Sequence, residues 1–395
     1  MASPVRLPRR PSATIVSRIY RPEPAAASLF LGTVADALMA RGYRVDVLTV
    51  RAPREQGDGS RGERISAFPV LRDRNGYVRG YLQYLSFDVP LALRLLFARR
   101  PDVVLVEPPP TTGAVVRAVC ALRRIPYVYD AADIWSDAAG HATDSGLVVR
   151  VLRRIETFAL RGATALVTIS QGVVDRLAAL HVTTPVTVTG FGADTSTFSY
   201  EQRSIEPLFI YAGTYTALHG ADLIIEAFAR LRESHPEHRL RFIGNGTGQD
   251  EMRARAAALG IAGRVEFRDP VTAADLRPQL AAATASLATL HPDGGYEYAF
   301  TSKIFSSLAT GCPVIFAGVG PTRTFIDDAE APVGTAVGYE VDALATAMRG
   351  AADDPLPAPE RQALAEWTAA HHSMRATAER VCDVLDAAHE RGSEQ

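Results

Sequence analysis

The sequence predicts an α/β protein of two tandem domains, each built on a parallel sheet. Strand-like and helix-like segments alternate along the chain, as in successive βαβ units. The alternation stops once, at the polar, turn-rich stretch GFGADTSTFSYEQRSIEP from Gly190 to Pro207, and then restarts. A chain of 395 residues also exceeds what one ordinary core organises and suits two. The expected division is a first domain over 1–190, a linker over 191–207, a second domain over 208–365, and a helical C-terminus over 366–395 that returns to the first domain. Such a pair normally leaves a cleft, the default place for a ligand.

In the first half, Thr14 to Tyr20 reads as a strand ending in the Pro22–Pro24 loop. A helix follows from about Ala27 to Arg41 and is closed by Gly42. Arg44 to Val50 is a strand, its DVLTV apolar enough for burial on both faces. A charged loop over 51–62 leads to a short strand near Ile65 to Val70. Tyr77 to Arg99 has helical spacing, with Pro90 expected to break or kink it. Asp102 to Val106 is a strand, Thr111 to Arg123 a helix, and Pro126 to Tyr129 a strand that ends in Asp130-Ala-Ala-Asp133-Ile-Trp135. Gly146 to Arg161 is helical and Ala163 to Ile169 a strand. Ser170 caps the helix to Leu180, and Val186 to Val188 is the last strand of this half.

In the second half, Leu208 to Ala212, Leu240 to Ile243, Val265 to Phe267, Ala285 to Leu290 and Pro313 to Phe316 read as strands. The helices between them are Ala221 to Ser234, Asp250 to Leu259 and Thr272 to Ala282, with a short one after the Gly318–Arg323 loop. Glu340 to Gly350, Pro359 to Ala370 and Met374 to Arg391 close the chain as helices.

Apolar residues make up 47% and charged residues 22%, ordinary for a globular chain. A net charge of −2 offers no broad polyanion-binding surface, so nucleic acid is not an expected partner. Cys120, Cys312 and Cys382 lie far apart, with neither metal nor disulfide spacing, and are expected as buried thiols in the reducing cytoplasm. The basic, proline-rich MASPVRLPRRPSA is not followed by an apolar signal region and reads as a frayed tail. No run reaches the length of a transmembrane helix, so membrane contact is expected to be peripheral at most, at the inner face. The basic end of the 77–99 segment would serve it, although a helix packed on the sheet explains the same pattern.

The stretch Asp293 to Gly318, DGGYEYAFTSKIFSSLATGCPVIFAG, concentrates the chemistry. Thr301 or Ser302 is placed to cap a helix, Lys303 falls in its first turn, and Gly311 ends it. A cation at the positive end of a helix is unfavourable unless an anion joins it. Free N–H groups, hydroxyls and a lysine converging there describe a phosphate site. Lys303 is also the only lysine; every other member of the Lys+Arg total of 42 is arginine. Codon bias accounts for the arginines but not for where the lysine lies.

Gly213 and Gly220 bracket one strand-to-helix loop, and Gly244, Gly246 and Gly248 form the next. Such loops let a phosphate or base approach the backbone. Neither is a P-loop or a dinucleotide fingerprint. Asp130 and Asp133 flank a strand end in the first half, suited to orient a sugar hydroxyl or accept a proton. Asp133 serves equally well as a helix cap. Glu297 is the acidic residue nearest Lys303, facing a ligand or simply solvated. His219 reads as a neutral hydrogen-bond donor, a phosphate contact or a surface histidine.

In order and spacing, YAGTYTALHGADLIIEAFARL, FIGNGTGQDEMRARAAALGIAGRVEF and TSKIFSSLATGCPVI resemble the family-4 retaining glycosyltransferases of GT-B fold. RPEP, ADALMARGYRVDVLTV, DAADIWSD and VTISQGVVDRL fit the same family, and the likeness covers nearly the whole chain. The most similar branch is bacterial, with an SK motif before the last core helix, and builds cell-surface polysaccharides or decorates small molecules. The resemblance implies a GT-B-like α/β fold, two tandem Rossmann-like domains with parallel sheets facing a central cleft. It implies a nucleoside-diphosphate sugar as donor on the second domain, with no metal and no further cofactor. Gly213, Thr214, His219, Gly244, Gly246, Tyr298, Thr301, Ser302, Ser306 and Arg323 then line the donor. Asp130 belongs with the acceptor, which is a glycan or polysaccharide precursor, a lipid-linked sugar or a small molecule. Asp133, Lys303 and Glu297 are the candidate catalytic groups.

The chain departs from the family pattern. The second of two glutamates that often flank the donor sugar falls on Ser306, and the first on Tyr298, with Glu297 beside it. The Arg and Lys of the first loop of the second domain fall on Thr214 and His219, which shifts the diphosphate onto Lys303 and Arg323. The leading reading is a retaining glycosyltransferase. A sugar-nucleotide epimerase of the same architecture and a catalytically degenerate sugar-nucleotide-binding subunit are the rivals.

Overall fold

The computed structural model describes residues 10–23, 26–51, 60–72, 81–142, 145–216, 218–246, 248–292 and 297–393. The N-terminal tail to residue 9, Pro24, most of the 51–62 loop, Tyr77, and 293–296 of the Lys303 stretch lie outside the described residues. The chain forms two compact units, Met1–Thr189 with Thr377–Gln395, and Gly190–Ala376.

The first unit runs β1 (Ser12–Val16), α1 (Ala26–Ala40), β2 (Arg44–Val50), β3 (Arg64–Phe68), α2 (Tyr81–Phe97), β4 (Val103–Val106), α3 (Pro110–Arg123), β5 (Tyr127–Asp130), α4 (Trp135–Ala142), α5 (Gly146–Gly162), β6 (Ala165–Thr168), α6 (Gln171–Ala179) and β7 (Val186–Val188). Its sheet has seven parallel strands in the order β3-β2-β1-β4-β5-β6-β7. The inner strands SATIV, VVLV, YVYD and ALVT are buried along their whole length, as parallel strands covered on both faces must be. The edge strands RISAF and VTV are mostly exposed, short and partly polar, which discourages edge pairing. Ile15, Val47, Leu105, Val128 and Val167 form one face of the core.

The second unit runs β8 (Glu206–Ala212), α7 (Asp222–Ala229), β9 (Arg239–Ile243), α8 (Gln249–Ala258), β10 (Val265–Arg268), α9 (Ala273–Ala282), β11 (Ala283–Thr289), α10 (Ile304–Ala309), β12 (Val314–Ala317), α11 (Pro321–Asp328), β13 (Gly334–Val337), α12 (Val341–Asp353) and α13 (Ala358–His371). The six strands are parallel, in the order β10-β9-β8-β11-β12-β13. The last helix, α14 (Met374–Ser393), packs Ala378, Val381, Cys382 and Leu385 into the first unit's core. Arg41 fastens it there through Glu379, Asp383 and Asp386 at 2.7, 2.8 and 2.7 Å. The two cuts, after Thr189 and after Ala376, compare with boundaries of 190 and 365 expected from sequence.

Both units are parallel α/β sheets of the Rossmann type. Pro90 neither breaks nor ends its helix, because Phe87, Leu91 and Leu95 are wholly buried and their packing offsets the roughly 3 kcal/mol a helical proline costs. The helix expected to reach Ser234 stops at Ala229, where Arg230 and Leu231 turn back to Ala227 and Phe228 in tighter three-residue bonds. Among the described strands and α-helices, two were not expected. The edge strand β13, GTAV, has no apolar run of its own and is held by pairing to β12. Helix α4 begins where Glu156, from α5, accepts the N–H groups of Trp135 and Ser136 at 2.7 and 3.1 Å.

Arg361 of α13 is buried and ties the start of β11 to the helix layer. It donates to the carbonyls of Leu356, Ala281, Ala283 and Thr284 at 2.9, 3.2, 2.8 and 3.0 Å. Replacing it removes a charged donor from four carbonyl acceptors, three of them in buried bonds. Arg361→Leu is expected to destabilise the second unit by at least about 3 kcal/mol, read as a lower denaturant midpoint. A change below about 0.5 kcal/mol would contradict this pinning role.

Candidate functional site

In a parallel sheet wound both ways, the connections diverge between the two strands where the order reverses, and ligands sit at their carboxyl ends. In the second unit those strands are β8 and β11. The loops after them carry most of the residues the sequence singled out.

The β8–β9 pairing continues past the strand ends. Gly213 N–H donates to the Ile243 carbonyl at 2.8 Å, and Tyr215 N–H to the Asn245 carbonyl at 3.1 Å. The two loops therefore lie backbone to backbone. Gly213 and Gly244 have φ of +130° and +142°, and a Cβ on Gly244 would stand 2.2 Å from the Gly213 carbonyl oxygen. Only glycine fits that approach. Gly246 is pressed in the same way against the Tyr215 carbonyl.

Lys303 reaches across from the loop after β11. Its Nζ donates to the Tyr211 hydroxyl at 2.6 Å and to the Thr214 carbonyl at 3.3 Å, and lies 4.1 Å from the centre of the Tyr211 ring. The Tyr211 hydroxyl in turn donates to the Thr214 carbonyl at 3.0 Å. Gly213 leaves room for this: a Cβ there would sit 3.3 Å from Lys303 Cε and Nζ. Among the described residues, no ion pair is recorded for Lys303. Burial alone pulls its ammonium down to about 7.

His219 is half-buried beside this group. Its Nδ1 accepts the Thr216 N–H at 3.3 Å and lies 2.9 Å from Thr216 Oγ1, which leaves the ring proton on Nε2. Burial, and then the charge of Lys303, push His219 down to about 4, so the ring is neutral at physiological pH.

The helix after Lys303 differs from expectation. It is the six-residue α10, and Lys303 occupies its N-cap position with no side-chain cap bond, so neither Thr301 nor Ser302 caps it. A helix this short contributes little dipole. Thr301 instead gives its N–H to Thr322 Oγ1 at 2.8 Å, which fastens the Lys303 loop to α11. Gly311 closes α10 as expected, with Cys312 N–H returning to the Ser307 carbonyl at 3.0 Å. Arg323 is tied along its own helix to Asp327 at 3.3 Å. Glu297, Tyr298, Ser302 and Ser306 are half-buried and Thr214 is exposed. A cavity of about 850 Å³ opens beside the loops, but Asp222, Glu226 and Glu251 line it, and its Arg255 is already paired with Glu226, a poor setting for a diphosphate.

In the first unit, the pairing of Val106 with Tyr129 brings Glu107, just past β4, beside Asp130, the last residue of β5. Asp130 is buried; burial first, then Glu107 and Asp133, push it up to about 7. Glu107 is also raised to about 7 by burial, although it accepts the Ser17 hydroxyl at 2.7 Å and faces Arg18. Arg18 lies 4.2 Å over the Tyr84 ring. Asp133 is exposed, and the N–H groups of Trp135 and Ser136 go to Glu156. Sequence reading missed Tyr211, Glu107 and Arg18. Tyr211 reads as core in the strand LFIYA, and the other two stand where only the strand register reveals a neighbour.

Two parallel Rossmann-like units, the second with a desolvated lysine at its reversal point, have the architecture of the GT-B class. The pattern of the family described as "Glycosyl transferase 4-like domain" matches residues 27–192, and that of "Glycosyl transferases group 1" matches 206–354. The chain belongs to the family-4 glycosyltransferases. It is 30% identical over 197 residues to the D-inositol 3-phosphate glycosyltransferase of Streptomyces coelicolor, covering 47% of this chain and 41% of that protein. It is 26% identical over 269 residues to the glycogen synthase of Mycobacterium tuberculosis, covering 66% of this chain and 63% of that one. Each match thus spans less than two thirds of the relative. Among solved structures, sucrose-phosphate synthase from Thermosynechococcus elongatus superposes with a TM-score of 0.71 at 17% identity, covering 96% of this chain and 99% of that one. Anabaena HepE in complex with UDP superposes with a TM-score of 0.69 at 16% identity, covering 95% and 100%. The relatives' names argue against the epimerase reading.

A single lysine makes its titration readable without resonance assignment. Reductive methylation with ¹³C-formaldehyde is expected to label the N-terminal amine and Lys303. The Lys303 signal, identified by its loss in Lys303→Arg, should titrate near 7, rather than near the unperturbed value of about 10.4. A midpoint near 10 would show an ammonium fully solvated and not held as described.

Proposed function

We propose that the protein is a retaining, metal-independent glycosyltransferase that moves a sugar from a nucleoside-diphosphate sugar to an acceptor hydroxyl. The observation that carries this is Lys303, a desolvated amine at the reversal point, held by Tyr211 and the Thr214 carbonyl between two glycine loops. A diphosphate supplies the anion such a group lacks. Gly213, Thr214, Gly244 and Gly246 offer it backbone, and His219 offers the Nε2–H of a neutral ring.

In the reaction, the bond from the anomeric carbon to the diphosphate oxygen breaks as that carbon gains oxocarbenium character. The acceptor oxygen bonds to the carbon on the face the diphosphate leaves, and its proton passes to a diphosphate oxygen. Charge on the leaving group rises along this path, and Lys303 stabilises it. Asp130 and Asp133 are assigned to positioning the acceptor, and Glu297, Tyr298 and Ser306 to the donor sugar. Acceptor glycan, lipid-linked sugar and small molecule all fit a chain without a helix long and apolar enough to cross a membrane among the described residues. Thr214 and Ser306, standing where the family often has charges, favour one second reading: a subunit that binds the donor without turning it over. A panel of nucleotide sugars read by mass spectrometry separates transfer from binding alone.

The Lys303 interaction is stronger in the transition state than in the ground state. Lys303→Ala is expected to lower kcat by about 10²–10³-fold, with a smaller effect on donor KM. Lys303→Arg is not expected to restore it, because a planar fork misplaces the charge. Kinetics near wild type in both variants would remove Lys303 from the mechanism.

Donor binding should also take up a proton. Free Lys303 is half-protonated near 7, and a bound dianion raises its pKa, so uptake is absent well below pH 7, appears as pH rises through 7, and affinity declines above it. Calorimetry in buffers of different ionisation enthalpy reads this directly. Equal enthalpies at pH 8 in wild type and Lys303→Met would refute the coupling.

A further inference from the structure

At the other edge of the second unit, where β9 begins, the chain reads His235-Pro236-Glu237-His238. Pro236 sets φ for the second position of a β-turn, and the turn is closed by His238 N–H to the His235 carbonyl at 3.3 Å. It folds the two imidazoles onto one side, with ring centres 5.4 Å apart. One ligand atom from each of His235, Glu237 and His238 lies within 4.8 Å of the others. Glu237 Oε1 stands 2.9 Å from His238 Nδ1 and 3.7 Å from His235 Nδ1. Ligands around a tetrahedral zinc with bonds of about 2.0–2.1 Å stand about 3.3 Å apart, and these separations bracket that value.

The far sides of both rings are also provided for. His235 Nε2, buried and without a hydrogen-bond partner, lies 3.4 Å from Asp353 Oδ1, the last residue of α12. His238 Nε2 lies 3.5 Å from Thr284 Oγ1. A metal held by Nδ1 needs the proton of each ring on Nε2, and there each meets an oxygen, the usual outer support of a ligating histidine. His238 is buried and stacked 5.2 Å from Phe209, which holds its ring in place. One opposing charge is near: Arg264, whose Nη1 donates to the His235 carbonyl at 3.0 Å. The carboxylates of Glu237 and Asp353 outweigh it.

We propose that His235, Glu237 and His238 form a zinc-class divalent metal site, with Asp353 and Thr284 as its outer support, that clamps the turn before β9 to the end of α12. Two imidazoles and a carboxylate suit zinc and its neighbours rather than calcium or magnesium. The fourth position is open to water on the Glu237 side, where that side chain is 54% exposed. The site is separate from Lys303 and does not depend on the transferase reading.

The test uses the untagged full-length chain, treated with EDTA and dialysed. Titration with Zn²⁺ is expected to show one equivalent bound, and Co²⁺ to give the intense visible absorption of a tetrahedral centre. Saturating Zn²⁺ should raise the melting temperature. Glu237→Gln and His235→Gln, both at the surface turn, should weaken binding by at least 100-fold, and Asp353→Asn by about 10–100-fold. Absence of saturable binding in wild type, or binding that survives both ligand substitutions, would overturn the proposal.

Discussion

The parallel sheet is the constraint from which the rest of this structure follows. Parallel strands need crossover helices, which cover both faces of the sheet and leave strand connections only at its ends. Reversal of the winding between β8 and β11 then opens a gap at the carboxyl edge that no helix fills. Side chains one or two residues beyond those strands have nowhere to go but into that gap. Gly213 and Thr214 follow β8, and Lys303 enters on the loop after β11. In the first unit the same logic sets Ser17 and Arg18 after β1, Glu107 after β4 and Asp130 at the end of β5. Chemistry gathers at these edges because the backbone leaves it no other common point.

The two edges carry opposite electrostatic problems. In the second unit an amine is desolvated with no ion pair to a carboxylate among the described residues, and burial depresses its pKa. In the first unit two carboxyls stand side by side, and burial raises both. Each arrangement opposes its own charged form in the free protein. A pair of perturbed groups of this kind, displaced from water at a ligand-binding edge, is what a reaction site requires and what a stability-optimised surface lacks.

Much of this was legible in the sequence, and what was not has a physical reason. The buried strands show as unbroken apolar runs, so the sheets and their tandem repeat could be read. Lys303, Gly213 and Gly244 were visible because composition and turn chemistry are local signals. Helix α4 was invisible because its start is set by Glu156, far along the chain and supplied by another helix. Strand β13 was invisible because pairing with β12, and no pattern of its own, makes it a strand. Tyr211 was hidden by doing two things at once, its ring in the core and its hydroxyl at the site. The cap read at Thr301 and Ser302 was wrong because the chain there bonds to Thr322 of the next helix before α10 begins.

The choice of lysine at position 303, in a chain that otherwise uses arginine throughout, follows from the free state as much as from the bound one. A guanidinium does not deprotonate in a protein, so an arginine here would remain a desolvated charge whenever the anion was absent, with five donors to satisfy beside Tyr211 and one carbonyl. A lysine lowers that cost: with its pKa near 7 it is about half deprotonated at neutral pH when alone, and on the proposed reading it would recover the proton when a diphosphate binds. The neutral amine still bonds to the Tyr211 hydroxyl, so its position is kept through the cycle. Arginine serves elsewhere in this protein, as at Arg41 and Arg361, where carboxylates or several carbonyls meet the fork permanently. On the proposed reading, a site whose counter-charge comes and goes carries a residue able to change its own charge.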